Sequence, residues 1–302
     1  MKFVVTGGAG FIGNRIVRSL LKNNHSVTII DNLSTGKIEN LKDVQNKIEF
    51  IKTDIRNYEY LGKIIKNYDG IFHEAALTLV QESFTKEKEY NDVNVTGTEN
   101  IFKIAQKNNI KVVYASSSSI YGDVKKIPIS ESFSKNPINP YGITKLKDEE
   151  LAIKYSKLGL KVLGLRYFNV YGVGQTGSYA GVITKFINRL KKKQAPQING
   201  NGEQIRDFIF VDDIADANIT AMNSSVNSGF FNIGSGIGTT IKQLANDLIE
   251  VSGEKVNPIY SNVLEGDVKF SQADISLTEK MLQWKSKTKL IEGLKKIYPD
   301  FD

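Results

Sequence analysis

Alternation of short β-branched runs with amphipathic stretches fills the first 171 residues of this 302-residue chain and limits the folds open to it. Lys2–Thr6, Ser26–Ile30, Ile48–Lys52, Gly70–His73, Lys111–Ala115 and Lys161–Arg166 read as strands. Phe11–Asn23, Tyr58–Lys66, Asp92–Asn108 and Pro140–Leu158 carry apolar residues at three- and four-residue spacing and read as helices. This pattern predicts an α/β fold with a Rossmann-like, doubly wound parallel sheet. After Tyr171 the rhythm breaks. Gly172–Gly181 reads as a Gly-rich loop, Tyr179–Lys193, Thr240–Ser252 and Ser276–Leu282 as helices, and Asp207–Val211 and Gly229–Ile233 as strands. The expected division is residues 1–171, with 207–235 returning to the same sheet, and a smaller mixed α/β region over 172–302.

The first turn carries chemistry. Thr6-Gly-Gly-Ala-Gly-Phe-Ile-Gly13 follows a strand and opens a helix, and Gly8, Gly10 and Gly13 match G-x-G-x-x-G. Residues without Cβ let the backbone approach a pyrophosphate, and a helix N-terminus offers it unpaired N–H groups. Asp31 ends the second strand, where a carboxylate accepts hydrogen bonds from a ribose diol and repels a 2′-phosphate. The pattern therefore favours NAD over NADP. Asp54-Ile55, after the third strand, reads equally as an adenine-side contact or a helix cap.

Tyr141 and Lys145 lie four residues apart on one expected helix, hence on one face. A phenol titrates near 10, and a neighbouring ammonium favours its phenolate, making it a usable base near neutrality. The run Ser116–Ser119 follows an apolar strand, so a serine hydroxyl there faces the ligand crevice.

Composition removes other chemistries. With no cysteine, disulfides and thiolate sites are excluded, and with two histidines, His25 and His73, no metal site is expected. The net charge of +7 comes from lysines scattered among acids, and no basic-aromatic module for nucleic acid accompanies it. No leader or membrane span is read, and a cytoplasmic protein is expected.

In these residues the chain resembles the extended short-chain dehydrogenase/reductases of the NAD-dependent epimerase/dehydratase group, above all its UDP-glucose (UDP-galactose) 4-epimerases. The likeness rests on Thr6–Gly13, Asp31–Gly36, Asp54-Ile55, His73–Ala76, Asn94–Thr98, Ser116–Gly122, Tyr141–Lys145, Leu165–Gly172, Arg206–Phe208, Val211–Asp213 and Glu265–Asp267, and spans nearly the whole chain. It implies NAD used and regenerated in each turnover. Gly7, Gly10, Phe11, Ile12, Gly13, Asp31, Asn32, Ser34, Thr35, Gly36, Asp54, Ile55, Ala75, Ala76, Asn94, Tyr141, Lys145 and Phe168 would surround it. Ser117, four residues before Tyr121, would be the catalytic serine beside Tyr141 and Lys145, with Ser116 and Ser118 as alternatives. Asn169, Val182, Ile183, Arg206, Asp267 and Ser271, with Ser117, would line a nucleotide sugar, a UDP-hexose.

The implied reaction is inversion at C4 through a transient 4-keto sugar. Ser118 and Ser119 stand where related dehydratases carry an acid pair, and the chain has no cysteine, on which the related epimerase-reductases rely. A small residue at Ser271 goes, in this group, with acceptance of 2-N-acetyl sugars. Four positions depart from the pattern: Leu264 replaces an arginine, Asn199 an aromatic residue, and Leu77 and Thr78 commoner polar residues. Rival readings are a uronate epimerase, a 4-keto reductase, a dehydratase or a non-catalytic NAD-binding regulator. A homodimer is expected to pair Asn91–Asn108 and Pro140–Leu158 of each subunit.

Overall fold

A computed structural model describes residues 1–175, 181–263 and 268–300. Its first part runs β1 (Lys2–Thr6), α1 (Gly13–Lys22), β2 (Ser26–Asp31), β3 (Ile48–Lys52), α2 (Tyr58–Ile64) and β4 (Gly70–His73). Two short helices follow, α3 (Val80–Ser83) and α4 (Glu87–Tyr90), then a wide π turn over Asn91–Thr96, α5 (Gly97–Lys107) and β5 (Lys111–Ser117). A 3₁₀ turn at Ser118–Tyr121 leads to α6 (Pro140–Lys157) and β6 (Val162–Tyr167). These six strands join β10 (named below) in a parallel sheet of order β10-β6-β5-β4-β1-β2-β3. The strand order reverses between β1 and β4, which opens a crevice at their C-terminal ends.

Side-chain alternation gives the sheet two buried faces. Phe3, Val5, Phe72, Val113 and Leu163 point to one face, under Ile16 and Leu20 of α1. Val4, Ile71, Val112 and Tyr114 point to the other, under Leu61, Ile101, Phe102 and Ala152. Helix α6 begins at Asn139, whose side chain caps Gly142 N at 2.7 Å, with Pro140 in the first turn.

The remainder runs β7 (Asn169–Tyr171), α7 (Val182–Lys191), β8 (Gln197–Asn199), β9 (Ile205–Phe210), α8 (Val211–Asn223), β10 (Ser228–Ile233), β11 (Gly238–Thr240), α9 (Ile241–Ser252), β12 (Ile259–Ser261), β13 (Phe270–Ser271), α10 (Ser276–Leu282) and α11 (Leu290–Ile297). The return of residues 207–235 is split. Strand β10 pairs with β6 and α8 covers the first face, Ile214 and Ala217 being part of that core. Strand β9 instead centres a smaller sheet, antiparallel to β11 and parallel to β7 and β13. Its Phe208 and Phe210 need the separate core of Phe186, Leu244 and Leu294, which holds it there. Among the described residues, no helix is long and apolar enough to cross a membrane.

One buried ion pair ties α6 to the sheet. Arg166, 1% exposed, makes two parallel 2.8 Å hydrogen bonds to Glu149 through Nε and Nη2, and Ser116 Oγ donates to the same carboxylate at 2.7 Å. Its Nη1 donates to Tyr121 Oη at 2.7 Å. Removing one partner leaves a buried, unpaired charge, so Arg166→Met is expected to cost about 3–5 kcal/mol in guanidinium unfolding. Arg166→Met with Glu149→Leu should recover most of that loss. A single variant as stable as the parent would contradict this account.

Candidate active site

A cavity of about 490 Å3 occupies the crevice above β1 and β4, a volume suited to a cofactor. Gly7, Gly10, Phe11, Ile12 and Gly13 form one wall, at the N-terminus of α1. Gly7 has φ +69°, and a Cβ there would sit 2.7 Å from Ala75 N. A Cβ on Gly13 would overlap Gly7 O. Gly8, one of the three glycines matched in the sequence, faces away: its Cβ would meet Ile29, so its small size serves packing on β2. The wall is therefore bare backbone at a helix N-terminus, a cradle that fits a pyrophosphate.

At one end, Asp31 Oδ2 accepts from Ala9 N (3.0 Å) and Oδ1 from Leu33 N (2.8 Å). Burial raises its pKa and these two N–H groups oppose the rise. Asn32, Ser34, Thr35, Ile55, Ala75 and Ala76 continue the wall. Three expected cofactor residues lie behind it. Gly36 is pressed against Ala9 and Asp31. Asp54 is engaged by Arg56 and by Asn32 Nδ2; the Arg56 hydrogen bonds chiefly hold its pKa down at about 2. The cap of α2 is Asn57, not Asp54. Asn94, turned inward by the π turn, spends its amide on Leu77 N, Leu77 O and Thr144 Oγ1.

The other end gathers Ser117, Tyr141, Lys145, Tyr167 and Phe168. Strand β5 extends past Ala115 and carries Ser117 opposite Tyr167 of β6. Ser117 Oγ accepts from Ser119 N at 3.1 Å. Of its neighbours, Ser116 is committed to Glu149, and Ser118 lines a second cavity. Lys145 is 3% exposed, and its Nζ donates to Ala115 O (3.0 Å) and Asp148 Oδ2 (3.2 Å). Burial opposes its charge, yet Asp148, Tyr141 and Glu74 together raise its pKa above the ordinary lysine value.

The second cavity, about 260 Å3, is lined by Asn169, Arg206 and Ser271 with Val80, Gln81, Ser118 and Ser119. Consecutive residues divide the two spaces on three segments: Leu79 from Val80, Ser117 from Ser118, Phe168 from Asn169. Ser117 thus stands at the boundary, and Tyr141 of the first space follows two residues after Asn139 of the second. Arg206 is 8% exposed and is braced by Ile205 O (2.8 Å) and Val268 O (2.6 Å). Val182 and Ile183 line neither cavity; Ile183 belongs to the core under α7. Asp267 and Leu264 lie outside the described residues. Asn199 is in neither wall, and its Oδ1 accepts from Ser261 Oγ at 2.7 Å.

A family model, described as the NAD dependent epimerase/dehydratase family, matches residues 3–234. The chain belongs to that family. Its cofactor is NAD, and the cradle, the buried Asp31 and the cavity between them fit that group. A Methanocaldococcus jannaschii protein provisionally named UDP-glucose 4-epimerase is 40% identical over 97% of this chain and 96% of its own length. Among solved structures, UDP-glucose 4-epimerase from Thermotoga maritima, with UDP-glucose, has a TM-score of 0.94 at 36% identity, covering 100% of this chain and 98% of that one. UDP-N-acetylglucosamine 4-epimerase from Methanobrevibacter ruminantium, in complex with UDP-N-acetylmuramic acid, also reaches 0.94, at 38% identity over 99% and 97%.

Within this family member, sequence reasoning passed over Glu74, which follows β4 and lines the first cavity. Its Oε1 accepts from Tyr167 Oη at 3.0 Å, and Asn218 Nδ2 donates to that hydroxyl at 2.7 Å. Burial pushes its pKa up to about 8, against the Tyr167 hydrogen bond and the Lys145 charge. Burial, then Lys145, takes the neighbouring His73 down to about 3. Glu74 precedes Ala75-Ala76 in a motif already read, but nothing in that motif tells which way its side chain turns.

Folded Glu74 keeps its proton to about pH 8, while an unfolded glutamate loses it near 4.5. The folded state therefore binds more protons across that window, and stability falls as pH rises, by up to about 1.4 kcal/mol per unit for one group. Glu74→Gln is expected to remove this slope. Guanidinium unfolding of parent and variant from about pH 5 to about pH 8 checks it. Identical slopes would show that the carboxyl ionises freely.

Proposed function

We propose that the chain inverts C4 of a UDP-linked hexose, UDP-glucose and UDP-galactose first. The observation that carries this is that Ser117, Tyr141 and Lys145 share the wall of the first cavity, where Ser117 borders the one braced by Arg206. Gly7, Gly10 and Gly13 would hold the NAD pyrophosphate, Asp31 the adenosine ribose and Lys145 the nicotinamide ribose. NAD, when bound, takes a hydride from the sugar carbon and gives it back. Tyr141 Oη removes the proton of the sugar 4-hydroxyl, with the Lys145 ammonium supplying the adjacent positive charge. Ser117 Oγ hydrogen-bonds the same sugar oxygen and steadies it as it becomes a ketone. Arg206 grips the diphosphate, since a guanidinium forks onto phosphate oxygens, and leaves the sugar ring free to turn over. Tyr141 then returns the proton, completing inversion with no net redox change.

The second cavity supports an uncharged sugar. Among the described residues of its wall the cation is Arg206, with no second cation there to meet a uronate carboxylate. Ser118 and Ser119, which line it, supply no acid pair for dehydration. Ser271 is small and buried in the same wall, leaving volume for a 2-acetamido group, so UDP-GlcNAc and UDP-GalNAc are further substrates. We also infer a homodimer built on α5 and α6, where α6 exposes Ile143 and Ile153; sedimentation at micromolar concentration tests it.

Product analysis with a panel of UDP-hexoses tests the reading. The expected result is interconversion of the C4 epimers, with no release of NADH and no loss of water. Tyr141→Phe should lower kcat about 100-fold or more while NAD stays bound. Ser271→Tyr should lower kcat/KM for the acetylated sugar, relative to the plain one, by about 10-fold or more. An unchanged ratio would remove the claim for acetylated sugars. A dehydrated or reduced product would overturn the epimerase reading.

A further inference from the structure

Helix α6 buries a polar stripe. Thr144, Lys145, Asp148 and Glu149 all face the sheet, and Asp148 is fully buried. Glu149 has its own cation in Arg166, and its oxygens also accept from Ser116. Asp148 has only a share of Lys145. Its Oδ2 accepts from Lys145 Nζ at 3.2 Å, and its Oδ1 has no hydrogen-bond partner. An ammonium has three donors. Two of those on Lys145 go to Ala115 O and Asp148, inside a residue that also lines the first cavity beside Tyr141.

Building on the epimerase reading, we propose that Asp148 is a positioning residue that acts through Lys145: its carboxyl decides how much of the ammonium's charge reaches Tyr141, and so sets the pH range of the reaction. Ionised Asp148 cancels much of the field that Tyr141 feels, whereas neutral Asp148 leaves it whole. The two acids therefore compete for one cation.

Other groups around Asp148 do not relieve this competition. From α6 the neighbours are Lys145 and Glu149, and from β5 Tyr114; Arg166 of β6 is paired with Glu149, while Tyr141 and Glu74 act on Lys145. His73 of β4 also feels Lys145, and its low pKa keeps it neutral. Burial pushes Asp148 up to about 7, against Lys145 and with help from Glu149. Its proton is therefore exchanged near neutral pH.

Two groups titrating against each other give a broad limb with two macroscopic steps. The wild-type rise of kcat/KM with pH should show that breadth, measured with UDP-galactose at saturating NAD. In Asp148→Asn, which keeps the side-chain shape and an oxygen for Lys145, the rise should contract to a single-proton step. Its plateau should be reached about 1 pH unit lower. Asp148→Ala should move the limb in the same direction, and circular dichroism shows which variant is folded.

A folded variant with the wild-type limb in width and position overturns the proposal. So does a variant slowed by one factor at every pH, which is the signature of a merely structural carboxyl. The failure of the epimerase reading looks different, because wild type itself would then leave UDP-galactose unchanged at every pH.

Discussion

A single buried ammonium organises the reacting end of this molecule. Lys145 sits 3% exposed between the end of β5 and the inner face of α6, tied to Ala115 O and Asp148. Burying a cation is costly unless acids and carbonyls surround it. The surroundings supply Asp148, Glu74 and Tyr141, so the cation is shared among more acids than it can fully satisfy. Burial displaces Asp148 and Glu74 upward, and the Lys145 charge only partly offsets it. One turn further along α6, Glu149 has its own cation in Arg166.

Around that cation, two spaces meet. The parallel sheet dictates the first, because strand order reverses between β1 and β4 and the glycine turn leaves bare backbone over the gap. The smaller sheet provides the second. Asp207 of β9 is fully buried and accepts from Ser235 N, Gly236 N and Ala273 N, which ties the loop after β10 and the chain after β13 to the strand that carries Arg206. The walls of the two spaces thereby rest on different hydrophobic cores.

Much of this was legible in the sequence because it is periodic or local. The six strands and four of the six helices of the first part follow from apolar runs and regular spacing, and Tyr141 and Lys145 share a face because they are four residues apart. What escaped is non-local. Strands β7, β8, β11, β12 and β13 span two or three residues each, too few for a period to register. Strand β9 looked like a member of the main sheet, and its place in the smaller one depends on aromatic partners distant in sequence. Asn94 was expected against the cofactor, but a π turn and the need to satisfy Leu77 turned it inward. Gly8 matches the glycine pattern as a letter, but its packing against Ile29 keeps it out of the crevice wall, where the resemblance already placed Gly7.

The account stands on a hydride that leaves one carbon and returns to the same carbon from the other side. UDP-galactose deuterated at C4 tests this most directly, with the epimeric product read by mass spectrometry and NMR. We expect UDP-glucose that keeps the deuterium at C4. Epimer with the label lost to solvent or found on another carbon would contradict it.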